Sequence, residues 1–220
     1  MLEHVVKIQE RILAEDYPHR LTSENVLAGA YLADGQTRRA VEMLEHVVKI
    51  KARILEKDHL SRLTSEHELA RAYLDDGQTK KAVEMLEHVV EIRERILAED
   101  HPDQLISEHE LARAYIDDGQ TRRAVEMLEH VVKTRERISA EDHPHRLASE
   151  NVLAGAYLND SQIKKAIEML EHVVAVKAEI LAEDDPSRHL SQDLLQYCYK
   201  RLEGAGAVME SKVSVLGEEM

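Results

Sequence analysis

A single unit repeats along this chain, and the repeat constrains the fold more than any other feature. LEHVV begins at Leu2, Leu44, Leu86, Leu128 and Leu170. Tyr31, Tyr73, Tyr115, Tyr157 and Tyr199 keep the same 42-residue step. Five units fill nearly all of the 220 residues, with no domain boundary between them. One unit is too short to bury its apolar faces alone. Stacked copies bury them against one another, so the repeat implies a quasi-one-dimensional array.

Each full unit reads as two helices. In the first copy, helix A runs from about Arg20 to Asp34, with Leu21, Leu27, Ala28 and Tyr31 on one face. The tetrapeptide DGQT ends it. Gly35 suits a left-handed C-terminal position, and Thr37 is expected to cap the next helix. Ser161 replaces that glycine in the fourth unit, where a different turn is expected. Helix B runs from about Arg38 to Glu56, with a wide stripe of Val41, Leu44, Val47, Val48, Ile54 and Leu55. An acidic loop follows, clearest as AEDHPD at 98–103. Pro102 suits the first turn of the next helix, and Leu60 stands there in the second unit.

The expected helix pairs cover about 20–57, 62–99, 104–141 and 146–183. A lone helix B over 2–15 precedes them, because Met1 occupies the register of Met43. It looks cut from a longer array. It is expected to pack on the first full unit, although its open face could also hold a second copy of the chain. A more polar capping helix is expected over 189–203, and 204–220 is a tail in which 207–216 reads as a short docked helix.

Composition agrees with an all-α chain and excludes several roles. Ala, Leu, Glu, Lys and Arg dominate, and strand-type alternation is hard to find. The formal charge of −14 argues against nucleic acid or an anionic membrane as the main partner. Residues 86–127 carry 11 acidic against 5 basic side chains, a surplus open to a basic partner. No apolar run reaches the length of a membrane span. The single cysteine, Cys198, points to a reducing compartment, and a cytoplasmic location is expected.

Period alone would also fit HEAT or armadillo repeats. Leu27-Ala28-x-x-Tyr31, Gly35 and Ala40-x-x-x-Leu44 resemble the tetratricopeptide core instead. The small Ala28 and Ala40 let the helices approach, and Tyr31 and Leu44 fill the space between them. The tetratricopeptide period is ~34 residues. The longer unit, with its long helix B and DHP-type loop, resembles the repeats of kinesin light chains. The VEMLEHVV helices resemble those in the C-terminal arrays of fungal NOD-like receptors. The resemblance implies a right-handed α-solenoid of antiparallel helix pairs. It further implies a non-catalytic scaffold that binds protein or peptide in a concave groove lined by helix A. The ligand-sensing region of a fungal NOD-like receptor is the expected role. A kinesin-light-chain-like cargo adaptor and a self-associating structural element are the alternatives.

Four stretches locate the expected groove. SENVLAGAY at Ser23 becomes SEHELARAY at Ser65 and Ser107, then SENVLAGAY again at Ser149. Asn25, Val26 and Gly29 lie off the face of Leu27, Ala28 and Tyr31. His67, Glu68 and Arg71, then His109, Glu110 and Arg113, take the same places. Asn151, Val152 and Gly155 close the series. Asp75 and Asp117 lie one turn further along the strip. Two arginines on successive units could grip an acidic side chain or terminal carboxylate. Glu68–Arg71 and Glu110–Arg113, spaced i, i+3, compete by pairing locally. The pattern does not match the Lys/Asn set of chaperone-binding tetratricopeptide domains. Block copying offers another origin for the alternation, because PHRLxSENVLAGAYL occurs at both 18–32 and 144–158.

No catalytic arrangement stands out, and no cofactor is expected. HELAR at 67–71 begins like H-E-x-x-H, but Arg71 stands where the second zinc ligand is required. Cys198 reads as a buried structural residue. His46, His88, His130 and His172 are one position repeated, as are His59, His101 and His143. All are read as surface polar residues.

Overall fold

Helix-forming composition and a 3.6-residue apolar spacing are realised as helices throughout the computed structural model. It describes the backbone of residues 1–217 and the side chains of residues 1–204. Among the described residues there are helices and turns and no strand. The chain divides into two compact units, Met1–Gly119 and a second beginning at Gln120.

The first unit holds α1 (Leu2–Ile12), α2 (Pro18–Ala33), α3 (Thr37–Ile54), α4 (Leu60–Asp75), α5 (Thr79–Ile96) and α6 (Pro102–Asp117). Each helix packs on the next, and α2, α4 and α6 also touch in sequence, so every second helix shares one side. The core alternates large and small residues. Leu27, Tyr31, Leu44, Leu69 and Tyr73 interlock, while Ala28, Ala40, Ala72 and Ala82 have no exposed surface. Replacing Leu44 by alanine would cost roughly 2–5 kcal/mol at such a site. On α1 only Val6 is buried. Leu2, Val5, Ile8 and Ile12 stay exposed.

The second unit repeats the scheme with α7 (Thr121–Ile138), α8 (Pro144–Asn159), α9 (Ile163–Ile180) and α10 (Pro186–Gly217). Sequence places a capping helix at 189–203 with a separate helix after it. The backbone is one helix across both. Docking of 207–216 concerns side chains outside the described residues.

The A-to-B turn closes identically with glycine and with serine. Gly35 lies at φ 72°, and its N–H donates to Leu32 O while Gln36 N–H donates to Tyr31 O. These two bonds satisfy the last carbonyls of α2. Ser161 takes φ 62° and keeps both bonds, so the expectation of a different turn fails. The hydrogen bonds outweigh the left-handed strain of a Cβ residue, about 1–2 kcal/mol. Thr37 is not a cap either. The turn makes Gln36 the flanking residue and Thr37 the first helical one, and no side chain caps α3.

At the B-to-A loop, α4 begins in the same register with Leu60 as α6 does with Pro102. Histidines fix these starts. The Nδ1 atoms of His59, His101 and His143 accept from Ser61, Asp103 and His145 N–H at 3.1, 3.1 and 3.2 Å. Asp185 does the same for Ser187 at 2.8 Å. His59 and His143 are exposed and His101 half-buried, in line with the surface reading, and their capping role was not read from the sequence. Each satisfies an N-terminal amide that the helix leaves open.

Candidate functional site

In the first unit, α2, α4 and α6 carry a strip of exposed residues in matching register. Val26 is 53% exposed, and Gly29, Arg71, Asp75, Arg113 and Asp117 are exposed with it. Arg71 pairs with Glu68 at 3.1 Å and Arg113 with Glu110 at 3.0 Å. These local pairs are the competitors expected from i, i+3 spacing, and both leave the guanidinium nearly half exposed. In the second unit, Asn151, Val152 and Gly155 on α8 are half-buried. His109 and Glu110 are half-buried on α6.

The first position of each changing triplet behaves differently from the rest. His67 is only 4% exposed, which corrects the expectation that it faces outward. Its Nδ1 lies 3.2 Å from Ser107 Oγ in the following repeat. Asn25 Nδ2 donates to Ser65 Oγ at 2.7 Å, and Ser191 Oγ donates to Asn151 Oδ1 at 2.7 Å. These residues join one repeat to the next through a serine that has no exposed surface.

A buried cation from helix B meets the same serine. Lys51 Nζ donates to Ser65 Oγ at 2.7 Å and to Ser61 O and Oγ at 2.9 Å each. Arg93 Nη1 donates to Ser107 Oγ at 2.6 Å and Asp103 O at 2.7 Å. In the second unit, Arg135 Nη1 donates to Ser149 Oγ at 2.6 Å and also to His145 O. Lys177 Nζ donates to Ser191 Oγ and Ser187 Oγ at 2.8 Å and to Ser187 O at 3.0 Å. Burial lowers the pKa of Lys51, Arg93 and Lys177, since it disfavours the charged form. The imidazole of His67 is pushed down to about 3 by burial, then by Arg93 and Arg71. It is therefore neutral at pH 7. Ser107 Oγ thus accepts from Arg93 and lies within hydrogen-bond distance of His67 Nδ1.

Helices α2, α4, α6 and α8 each also bury a glutamate. Arg20 reaches Glu24 at 2.9 Å, Arg62 reaches Glu66 at 2.8 Å and Arg146 reaches Glu150 at 2.9 Å. In the third copy Gln104 donates to Glu108 at 2.6 Å. The i, i+4 spacing was visible, but nothing in one sequence marked the glutamate as buried. Two clefts, of roughly 300 and 500 Å³, adjoin these pairs. Arg20, Glu24, Tyr31 and Met43 wall one, and Arg146, Glu150, Tyr157 and Met169 wall the other. The clefts belong to the repeat and are not a unique reaction centre. Among the described residues, no cluster of three or more His, Cys, Asp or Glu side chains could hold a metal ion. Cys198 is fully buried, and burial pushes its thiol pKa up. No helix is long and apolar enough to cross a membrane among the described residues.

Comparison with known proteins agrees with this architecture. The tetratricopeptide repeat family matches residues 20–61 and, in a second match, residues 61–137. The chain belongs to the tetratricopeptide repeat family. Among solved structures, it is similar to the Podospora anserina "kinesin light chain nearly identical TPR-like repeats". That similarity is 44% identity over 93% of this chain and 98% of that one, with a TM-score of 0.75. A form of those repeats with one glutamine changed to methionine matches at 46% identity over 90% and 93% of the two chains, with a TM-score of 0.76. BtubC (BKLC) from P. vanneervenii shares the fold at 19% identity, over 95% and 88%, with a TM-score of 0.65. No curated protein matches the chain. Tetratricopeptide arrays are non-enzymatic scaffolds that generally mediate protein–protein interactions, and these repeats resemble the kinesin-light-chain-like repeats of the Podospora anserina structure.

Proposed function

We propose that this tetratricopeptide array binds a protein or peptide, without catalysis, on the helix A strip. The observation that carries this reading is the exposed Arg71 and Arg113 in the same register of α4 and α6, each tied to a glutamate one turn back on its own helix. Surface pairs of this kind are worth ~0–1 kcal/mol, so an incoming carboxylate can displace them at little cost. Val26 adds an apolar contact on α2 of the same unit. Of the expected groove residues, His67 and the 25 and 151 asparagines serve the repeat junctions. Val26, Gly29, Glu68, Arg71, Asp75, Glu110, Arg113 and Asp117 remain the contact surface, with Val152 and Gly155 as their counterparts on α8.

Within that class, the VEMLEHVV helices support the ligand-sensing repeats of a fungal NOD-like receptor as the biological setting. A kinesin-light-chain-like cargo adaptor is supported by the similarity to the Podospora anserina repeats. Both settings are cytoplasmic. The charge of −14 disfavours nucleic acid and anionic membranes as partners. A partner recovered with the purified array from its source organism tests the surface directly. The double variant Arg71→Ala/Arg113→Ala should keep the helical circular dichroism of the parent and lose at least tenfold in affinity for that partner. Unchanged affinity would refute this surface.

A second reading rests on α1, where Ile12 is 70% exposed beside exposed Leu2, Val5 and Ile8. These residues could pair with a second copy of the chain. Light scattering that shows a monomer across a hundredfold concentration range would exclude self-association.

A further inference from the structure

Residues 25, 67, 109 and 151 change together with residues far from them in the chain. Where the position is asparagine, the buried cation of the following helix B is lysine, Lys51 or Lys177. Where it is histidine, the cation is arginine, Arg93 or Arg135. A third position, four residues before the repeated serine, follows them. Ser61 and Ser187 accompany lysine, while Asp103 and His145 accompany arginine.

Donor counting gives the reason. An ammonium has three N–H donors, and burial requires an acceptor for each. Lys51 finds its three on the serine backbone carbonyl, that serine's hydroxyl and the hydroxyl of the repeated serine. Lys177 does the same. One guanidinium Nη carries only two N–H donors. Arg93 Nη1 and Arg135 Nη1 use theirs on a backbone carbonyl and the repeated serine, so at that nitrogen the third position need not offer an oxygen, although Arg93 Nε stays buried without a partner. The preceding repeat then completes the serine with an amide in the lysine sets and, at Ser107, with a neutral imidazole.

The linkage extends beyond the longest copied blocks, although Ala52 and Ala178 beside the lysines against Glu94 and Glu136 beside the arginines follow it too. The matching blocks 18–32 and 144–158 stop well before the cations. Beyond them the two copies diverge, with Ala33 against Asn159, Gly35 against Ser161, Thr37 against Ile163 and Lys49 against Ala175. Both nevertheless return to lysine at 51 and 177 and to serine at 61 and 187.

We infer that these residues form two matched sets, Asn–Lys–Ser and His–Arg, each stable only when complete, and that they select which repeat stacks on which. The surface they govern is the one a repeat offers its neighbour. The partner it accepts is a repeat that carries the remainder of the same set. Even the matched junctions leave Asn25 Oδ1 and Arg93 Nε buried without a partner, and a mixed junction loses further bonds to the repeated serine or the carbonyl beside it.

The test uses the full chain and the Ser107 junction, with chemical denaturation at pH 7. Arg93→Lys alone and His67→Asn alone should each raise the unfolding equilibrium constant about tenfold. The triple variant His67→Asn/Arg93→Lys/Asp103→Ser should return to within about twofold of the parent, the non-additivity expected of groups in one network. The mirror experiment converts the Ser65 junction. Lys51→Arg should lose stability that Asn25→His restores. If a single variant does not fold, a folded triple still supports the matched sets. Additive losses in both series, or a triple variant that does not fold, would overturn the inference.

Discussion

Acid should unlock the junction held by His67, and the size of the effect can be worked from its surroundings. The imidazole titrates near 3 in the folded chain because burial, then Arg93 and Arg71, disfavour its charged form. In the unfolded chain it titrates near the ordinary value of about 6.5. The folded pKa is therefore the lower one. Between these two values the unfolded state binds more protons, so stability falls as pH drops below about 6.5 and levels off only near 3. Each pH unit in that window is worth ~1.4 kcal/mol, which makes the loss at pH 4.5 about 2–3 kcal/mol from this group. The perturbation is His67→Asn, which removes the titrating group whatever it does to stability at pH 7. Urea unfolding at pH 7.0 and pH 4.5 should show the parent losing about 2–3 kcal/mol more than the variant between the two conditions. In parallel, the His67 ring resonances should keep their neutral positions at pH 4.5. Equal acid losses in parent and variant, or a ring that titrates near 6, would refute the reasoning.

Three further outcomes follow from the turns, caps and core. Ser161→Gly should raise stability by about 0.5–1 kcal/mol, read as an upward shift in Tm, because φ 62° favours glycine and glycine's extra freedom when unfolded offsets part of that gain. His143→Ala should cost about 1 kcal/mol by uncapping α8, whereas His143→Asp should retain most of the stability, as Asp185 caps α10. Cys198 should resist thiol reagents at pH 7.5 in the native chain and react within minutes in 6 M guanidinium, since its sulfur is fully enclosed and its pKa is raised.

The apolar frame was legible because it repeats at short range. Leu27, Ala28 and Tyr31 show helical spacing within one turn or two, and Gly35 marks its turn by residue type alone. Those signals needed no partner. The junction network needed three partners at once. Asn25 meets Ser65 across 40 positions, and Lys51 reaches the same hydroxyl from another helix. The alternation of Asn and His was visible, but its link to Lys and Arg was hidden among many surface charges. The histidine caps escaped for a related reason: imidazole is an uncommon cap, and the sequence does not show which ring nitrogen accepts. Thr37 misled in the opposite direction. It is a good capping residue placed one position too late, because the left-handed turn hands the flanking place to Gln36. On the proposed contact surface, Arg71 and Arg113 are exposed as the sequence led one to expect, but the sequence could not separate them from His67, which lies one turn away and points into the stack.

One recurring bond gives the array a property of a different kind. The phenol of Tyr31 donates to Glu3, Tyr73 to Glu45, Tyr115 to Glu87, Tyr157 to Glu129 and Tyr199 to Glu171. Each ring thus touches the helix B of the repeat before it. The chain has no tryptophan and no phenylalanine, and these five are among only seven tyrosines. Nature has therefore fitted the protein with one optical reporter per junction and almost no background. As repeats peel from an end, each released phenol exchanges its carboxylate for water, and the near-ultraviolet signal becomes a count of the junctions still closed.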